Sequence, residues 1–420
     1  MTSSTTLPAP TASGAATPTG PTGRKYVQLV FVLGALIALG PLTIDMYLPA
    51  LPAIAEELQA SNSAVQLTLT GMLAGLAVGQ LVIGPLSDSV GRRKPLIFGV
   101  TTHGFASLLC AISPTVEMLS VVRVVQGFAG AAISVVALAI VRDLFSGIAV
   151  ARLMSRLMLV IGAAPVLAPS LGGLILGWTS WRGIFVVLAA AASLLVLVAV
   201  FGVRETLPMQ RRRSARLRST LGTYRMLLRD RTFVALVFIA GLMMSAIFAY
   251  VSGAPFVLQG VYGLDAQTFG LVFGANAIGL VLFTQANPLL LSRFGPATVL
   301  SGALLLAVTA SSALLATAVT GFGGLAGVLV PLAMIVASAG LALPNTPALA
   351  MTRHGEAAGT AAALLGSVQF GVGALVAPVV GLFGSSSAVP MGAVMVAVTV
   401  GAALLMFGIV RRDPSTRTLG

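Results

Sequence analysis

A chain of 420 residues that is 57% hydrophobic and only 8% charged, with a mean hydropathy of +1.02, carries more apolar surface than one water-soluble core can hide. It therefore reads as a polytopic membrane protein. A lone cysteine, Cys110, and two widely separated histidines, His103 and His354, exclude a disulfide framework and metal-ligand spacing, and no Gly-rich phosphate loop is present; neither a cofactor, nor enzymatic chemistry, nor a nucleotide-driven pump is expected.

Residues 1–23, rich in Ser, Thr, Pro and Gly, read as a disordered tail. A membrane crossing needs about 20 mostly apolar residues. Twelve stretches qualify, at roughly 28–50, 64–85, 96–113, 117–141, 155–177, 182–203, 232–256, 267–291, 296–318, 322–348, 357–382 and 388–410. Backbone groups in hydrocarbon must be hydrogen-bonded within the protein, so these runs are helices. The expected fold is all-α: an N-terminal six-helix bundle (24–203), a polar linker (204–231), a C-terminal six-helix bundle (232–410) and a tail (411–420). A signal peptide is the other reading of the first stretch, but that stretch is too long, carries Asp45, and would leave an odd number of spans after cleavage.

Orientation follows from the basic residues. With the N-terminus in the cytoplasm, 22 of the 24 Lys and Arg fall in inner segments, nine of them between Arg204 and Arg231, while Arg182 falls in an outer loop and Arg123 inside a span. That bias predicts a multi-pass protein of the cytoplasmic membrane with both termini inside. It also accounts for the net charge of +13 as loops facing anionic lipid, so nucleic acid is not an expected partner.

The first span ends in "TIDMYLPALPAIA". Asp45 lies four residues before Pro49 and seven before Pro52, roughly 6 to 10 Å below the outer surface. Arg123, six residues after Glu117 in the fourth span, lies at a similar depth of roughly 9 Å. An acid and a base inside the spans are costly unless partnered, so each is the expected partner of the other. A carboxylate there, gaining and losing a proton as its surroundings change, is a candidate coupling site; a purely structural role at the irregular end of the span is the alternative. The other polar residues within spans are neutral, among them Gln66, Gln126, Asn276, Gln285, Asn345 and Gln369. With Tyr47, Met243, Met244, Phe248 and Tyr250 they are candidates for a cavity suited to uncharged or weakly charged apolar cargo. Each taken singly serves equally well as an interhelical contact.

After the second span comes "GPLSDSVGRRKP". Gly91 permits a tight turn, and Asp88 stands where it can meet Arg92 and Arg93, with Asp143 of "VRDLF" as a second acid for Arg92. Such a charge cluster is expected to hold the two halves together at the inner mouth, with Asp88 weighing more than Asp143. A faint second copy, "PLLLSRFGPATVL", places Ser292 opposite Asp88 and Gly295 opposite Gly91, as duplication of a six-span unit would. In the second span Gly71, Gly75 and Gly79 share one face at four-residue spacing and predict close helix packing. The fifth span reads "VIGAAPVLAPSLGGLILGW", in which Pro165 and Pro169 allow a bend and Gly172 and Gly173 a close approach.

Gly84, Leu86, Asp88, Gly91, Arg92 and Arg93 resemble, in order and spacing, the short loop motif of the major facilitator superfamily. "RVVQG" at Arg123 resembles a second of its motifs, and the fifth span partly resembles its antiporter signature, with Ala164 and Ala168 where that signature has glycine. With "TIDMYLPALPAIA" and "SGAPFVLQGVYGL", the chain is similar to the Bcr/CflA-type multidrug exporters. The resemblance implies two pseudo-symmetric bundles, a monomer, and export of amphipathic drugs or antibiotics of chloramphenicol-like character in exchange for protons. The residues alone stop at a secondary transporter, with a proton-coupled carrier of a defined metabolite, a channel and a nontransporting sensor as alternatives.

Overall fold

The computed structural model describes residues 23–145, 148–212, 217–352, 354, 357–384 and 387–413. The expected tail therefore lies outside the described residues but for Gly23. Among the described residues there are helices and turns and no strand: α1 (Gly23–Asp45), α2 (Leu51–Glu57), α3 (Asn62–Val90), α4 (Arg93–Ala111), α5 (Val116–Leu144), α6 (Ile148–Leu176), α7 (Trp181–Gly202), α8 (Leu217–Arg229), α9 (Arg231–Pro255), α10 (Ala266–Thr320), α11 (Gly324–Thr352), α12 (Ala358–Leu382) and α13 (Val389–Gly408). Ten of these helical runs are long and apolar enough to cross a membrane. One of the ten, α10, is 55 residues long and breaks at Gly295, whose φ of 64° and ψ of 160° no helix accommodates, so it makes two crossings. The 19-residue α4 is a further one, about 28 Å long at 1.5 Å per residue. The protein is thus a twelve-span helical membrane protein, with α1 and α3–α7 before the linker and α9–α13 after it.

Local chemistry sets the helix ends. Ser61, Thr115, Asp230 and Asp265 cap α3, α5, α9 and α10 by accepting backbone N–H groups through their side chains. Gly91, at φ 98°, turns the chain between α3 and α4. The first span is shorter than the hydropathy predicts. Pro49 has no N–H to give the carbonyl of Asp45, so α1 stops at Asp45, and the chain passes through a 3-10 turn, Leu48–Ala50, into α2.

Both described ends of the chain lie on one face of the bundle, termed the terminal face; the loops after α1, α4, α6, α9, α10 and α12 lie on the far face. Within the first half, α3 and α5 cross with backbone against backbone. A Cβ on Gly71 would stand 2.6 Å from the carbonyl oxygen of Ser120, and the α5 glycine Gly127 abuts Met72 in return. This bears out the packing role expected for the glycine face of α3. Two seams join the halves. In one, α6 meets the first arm of α10: a Cβ on Gly270 would be 2.7 Å from Pro169 O, and one on Gly274 2.6 Å from Val166 O. In the other, α3 lies along α12, from Gln66 beside Gly381 to Gln80 beside Gly366. Two hydrogen bonds between described residues cross from half to half, Gln66 Nε2 to Ser252 O at 3.0 Å and Gln259 Nε2 to Pro49 O at 3.2 Å, both near the far face. The halves are closed there.

Candidate functional site

The interior of the first half holds a buried polar network built on Arg123. The arginine is fully buried. Its Nη1 donates to Thr43 O at 3.1 Å and to Gln126 Oε1 at 2.8 Å, and the guanidinium lies 4.2 Å over the Tyr47 ring. Gln126 in turn donates to Ser107 Oγ at 2.8 Å. The Thr43 hydroxyl proton goes to Leu39 O at 2.6 Å, so its oxygen accepts at 3.0 Å from His103 Nε2. That fixes the tautomer and leaves His103 Nδ1, like Arg123 Nε and Nη2, without a hydrogen-bond partner among the described residues. Tyr47 closes the network by donating to Thr68 Oγ1 at 3.2 Å, because the Thr68 proton is taken by Val65 O. Stacking on a ring offsets part of the cost of burying this cation.

The expected pairing of Arg123 with Asp45 is not present. The two share a depth but not a direction. Arg123 and His103 engage Thr43, and Asp45, two residues further along α1, projects about 200° around the helix from it. Among the described residues Asp45 has no ion-pair partner, and it is buried, 6% exposed. Its surroundings belong to the junction of the halves. The neighbouring Met46 backbone abuts Gly172 of α6, Pro49 O is held by Gln259, and Tyr250 of α9 lies within electrostatic reach. Tyr250 is itself fixed by Asn276 Nδ2 at 3.0 Å and stacked on Phe273 at 4.7 Å.

The other expected cavity residues divide by environment. Tyr47, Gln126 and Met243 are fully buried in helix packing, so they line no open wall. Gln66 is bound across the junction of the halves, and Asn345 is tied to Asn287 Oδ1 at 2.7 Å and Leu341 O at 2.8 Å. Phe248 packs on Phe370 at 6.1 Å, and Gln369 on α12 is part-exposed. Of the signature on α6, Gly172 meets α1 and Gly173 meets the start of α10, where a Cβ would be 2.7 Å from Ala266 O, while Pro165 and Pro169 lie within the continuous helix.

At the terminal face the loop motif forms one compact charge cluster. Arg92 donates through Nη1 to Asp88 Oδ1 at 2.6 Å and to Ser87 Oγ at 2.8 Å, and through Nε to Asp143 Oδ2 at 2.9 Å. Burial works against the charge of Arg92, but the hydrogen bonds to Asp143 and Asp88 outweigh it and raise its pKa. Two expectations change here. Arg93 does not meet Asp88; it donates to the Val203 and Val200 carbonyls at the end of α7, at 3.1 and 2.7 Å. The cluster also ties α3, α4 and α5 of one half to one another rather than joining the halves. Gly84 sits on α3 with open space about it.

Sequence reasoning missed Glu205. Its carboxylate accepts the N–H of Arg92 at 2.8 Å and of Arg93 at 3.2 Å, capping α4, which has no side-chain cap of its own, and the adjoining Thr206 donates to Asp143 Oδ2 at 3.0 Å. Burial acts to raise the pKa of Glu205, but the N–H groups of Leu207, Arg92 and Arg93 and the charge of Arg212 prevail and hold it low. The one available signal was an acid placed two residues after the last apolar residue beyond α7, Val203. His103 was also missed as a network member, since nothing in a lone histidine on an apolar helix reveals its neighbour.

The chain matches the Major Facilitator Superfamily over residues 33–378. It is 40% identical over 398 residues to the "Uncharacterized MFS-type transporter YdgK" of Bacillus subtilis, covering 93% of this chain and 97% of that one. It is 32% identical over 390 residues to a "Bicyclomycin resistance protein homolog" of Haemophilus influenzae, covering 92% and 97%, and 32% identical over 266 residues to the "Multidrug resistance protein MdtL" of Klebsiella pneumoniae, covering 63% and 67%. In fold it is similar to a bacterial homolog of the human lysosomal transporter Spinster, with a TM-score of 0.75 at 16% identity over 94% of this chain and 99% of that one. The D-xylose-proton symporter gives 0.72 at 17% identity, over 92% and 97%. Twelve spans in two six-helix halves, the loop motif clustered about Arg92 and these likenesses agree, and the chain belongs to the Major Facilitator Superfamily, whose members of this kind are transporters of small substrates and not enzymes.

Proposed function

We propose that this transporter exports amphipathic drugs or antibiotics from the cytoplasm by alternating access, driven by protons moving inward, and that Asp45 carries the proton. The observation that carries the reading is the position of Asp45: a carboxylate with no ion-pair partner, buried beneath the far-face closure where α1 meets the other half. A fixed partner would hold it charged throughout; without one, its protonation follows the wetting of the junction as the halves rock. The names of the bicyclomycin-resistance and MdtL relatives support drugs as the cargo.

In this reading the terminal face is cytoplasmic, which the distribution of basic residues supports. The described conformation is closed to the outside, and residues 24–203 and 232–410 move about the linker 204–231. Arg123, a buried cation held by Tyr47, Thr43 and Gln126, sits at a similar depth to Asp45 but turned away from it, and fixes α1 against α5 in the register that leaves the carboxylate at the junction. Phe370 and Gln369 of the second half, both part-exposed, offer an aromatic and a neutral polar group to apolar cargo, with Phe248 packed behind Phe370. The Arg92 cluster stiffens the cytoplasmic end of the first half so that it moves as one body.

Two measurements test this. An efflux-deficient host expressing the chain should survive raised drug concentrations, and a protonophore should abolish the protection; protection that persists would point to passive flux or another energy source. In detergent, adding drug should release protons from the wild type but not from Asp45→Asn, and equal release would remove Asp45 as the coupling site. Arg123→Ala should damage both transport and its pH dependence.

A further inference from the structure

The far-face closure rests on a reciprocal pair of amides. Gln66 of the first half donates to Ser252 O in the second, and Gln259 of the second half donates to Pro49 O in the first. Each acceptor is a carbonyl that a break in its own helix has released. Within a regular α9, Ser252 O would receive the N–H of Phe256; but beyond Pro255 the chain passes into a π-turn and Phe256 N–H goes instead to Gly253 O. In the 3-10 turn Leu48–Ala50, Pro49 O faces Pro52 three residues on, which has no N–H. A buried carbonyl left unsatisfied is costly, so each half carries an acceptor that a side chain of the other half satisfies when the two close together.

Gln66 is committed to this contact. It is 1% exposed, its Oε1 has no hydrogen-bond partner among the described residues, and it presses on Gly381 so closely that a Cβ there would meet the amide. Gly381 is the glycine that leaves room for it. Ser252, meanwhile, is anchored through Oγ at 3.3 Å to Ala377 O of α12, so the acceptor carbonyl is held in register with the seam on which Gln66 lies.

We infer that Gln66 and Gln259 form the extracellular gate latch of this transporter: two side-chain amides, one from each half, that stabilise the outward-closed state by binding main-chain carbonyls released at helix breaks, and that must let go each time the outer mouth opens. This makes Gln66 a positioning residue of the transport cycle and not part of the drug-binding wall. The inference rests on the alternating-access reading above.

The test measures opening directly, in full-length protein in lipid nanodiscs without drug. The single cysteine, Cys110, is buried, so a Cys110→Ala background accepts spin labels at Glu56→Cys and Val261→Cys, both exposed on the far face on opposite halves. Pulsed electron resonance then reads the closed and open populations from the label separation. Gln66→Met and Gln259→Met preserve side-chain length and remove the donor. Each should raise the open-to-closed ratio about three- to tenfold, as loss of one net hydrogen bond implies. Gln66→Asn, which keeps the amide but is one methylene too short, should act like Gln66→Met. Unchanged distance distributions in either methionine variant would overturn the latch. So would normal behaviour of Gln66→Asn beside an opened Gln66→Met, because reach would then be irrelevant. As no substrate is present, failure of drug export would leave this result standing, and failure of the latch would leave the export reading standing.

Discussion

Substituting Asp143 with asparagine should destabilise the terminal-face end of the first half more than the same change at Asp88, although the motif leads one to expect the Asp88 change to impair transport more. Asp143 receives two N–H groups of Arg92, at 2.9 and 3.5 Å, and the hydroxyl of Thr206 at 3.0 Å, with a side chain only 16% exposed. Asp88 receives one N–H of Arg92, at 2.6 Å, on a side chain 46% exposed. A charge-assisted hydrogen bond at a part-buried site contributes about 1.5–3 kcal/mol, whereas a half-exposed i,i+4 ion pair is worth about 0.3–0.5 kcal/mol after solvent screening. Asp143→Asn should therefore cost about 2 kcal/mol and Asp88→Asn less than about 1 kcal/mol. Thr206 should stay bound in Asp143→Asn, because it and Arg92 Nε already share Oδ2, which the amide oxygen can replace; the loss falls on the charge and on the 3.5 Å contact of Arg92 Nη2 with Oδ1. Apparent melting temperatures in detergent, followed by loss of the monodisperse peak in size exclusion, rank the two variants. Equal losses, or a larger loss for Asp88→Asn, would refute the premise that burial sets the strength of each pair. Transport assays on the same variants separate stability from function: if Asp88→Asn stays well folded yet transports poorly, the exposed acid works in the moving states and not in holding this one.

Gly127→Ala should lower the melting temperature, since the new methyl meets the Met72 carbonyl and lies 3.1 Å from Leu76 N, backbone groups that have no rotamer to yield; overpacking of about 1–3 kcal/mol exceeds the gain of about 1 kcal/mol in helix propensity. Gly130→Ala, three residues on, meets only the side-chain ends of Leu76 and Met72 at 3.7 and 3.9 Å and should be neutral or stabilising, so similar behaviour of the two would contradict the crossing geometry. Glu205→Gln should speed hydrogen exchange at the Arg92 and Arg93 amides. The pKa of Glu205 is held low in the fold, so its contribution is complete at neutral pH and fades only as the pH falls through that lowered value; a loss that instead grew on the alkaline side would show the sign to be wrong. A reporter fused after Arg231 should read cytoplasmic and one inserted near Asp265 external, with the opposite pattern inverting the whole topology.

The sequence alone determined the solvent and the architecture. Apolar runs of membrane length leave only helices as an option, and the break at Gly295 that separates two spans in α10 is legible as a short polar interval between them. The identity of the Arg92 cluster was likewise legible, since Asp88 and Arg92 are one helical turn apart and Asp143 closes the next inner span. Depth could be read as well, because it follows from counting residues inward from a span end. Direction could not. Asp45 and Arg123 share a level, yet which way each points depends on the rotation of α1 and α5 within the bundle, and that is fixed by Thr43, His103 and Tyr47 packing around the arginine. Long-range partners such as Glu205 on the start of α4, Gln66 on Ser252 and Gln259 on Pro49 depend in the same way on how helices remote in sequence are set against one another. Periodicity records only that a face is buried, while the neighbour it is buried against is chosen by the packing of the whole chain.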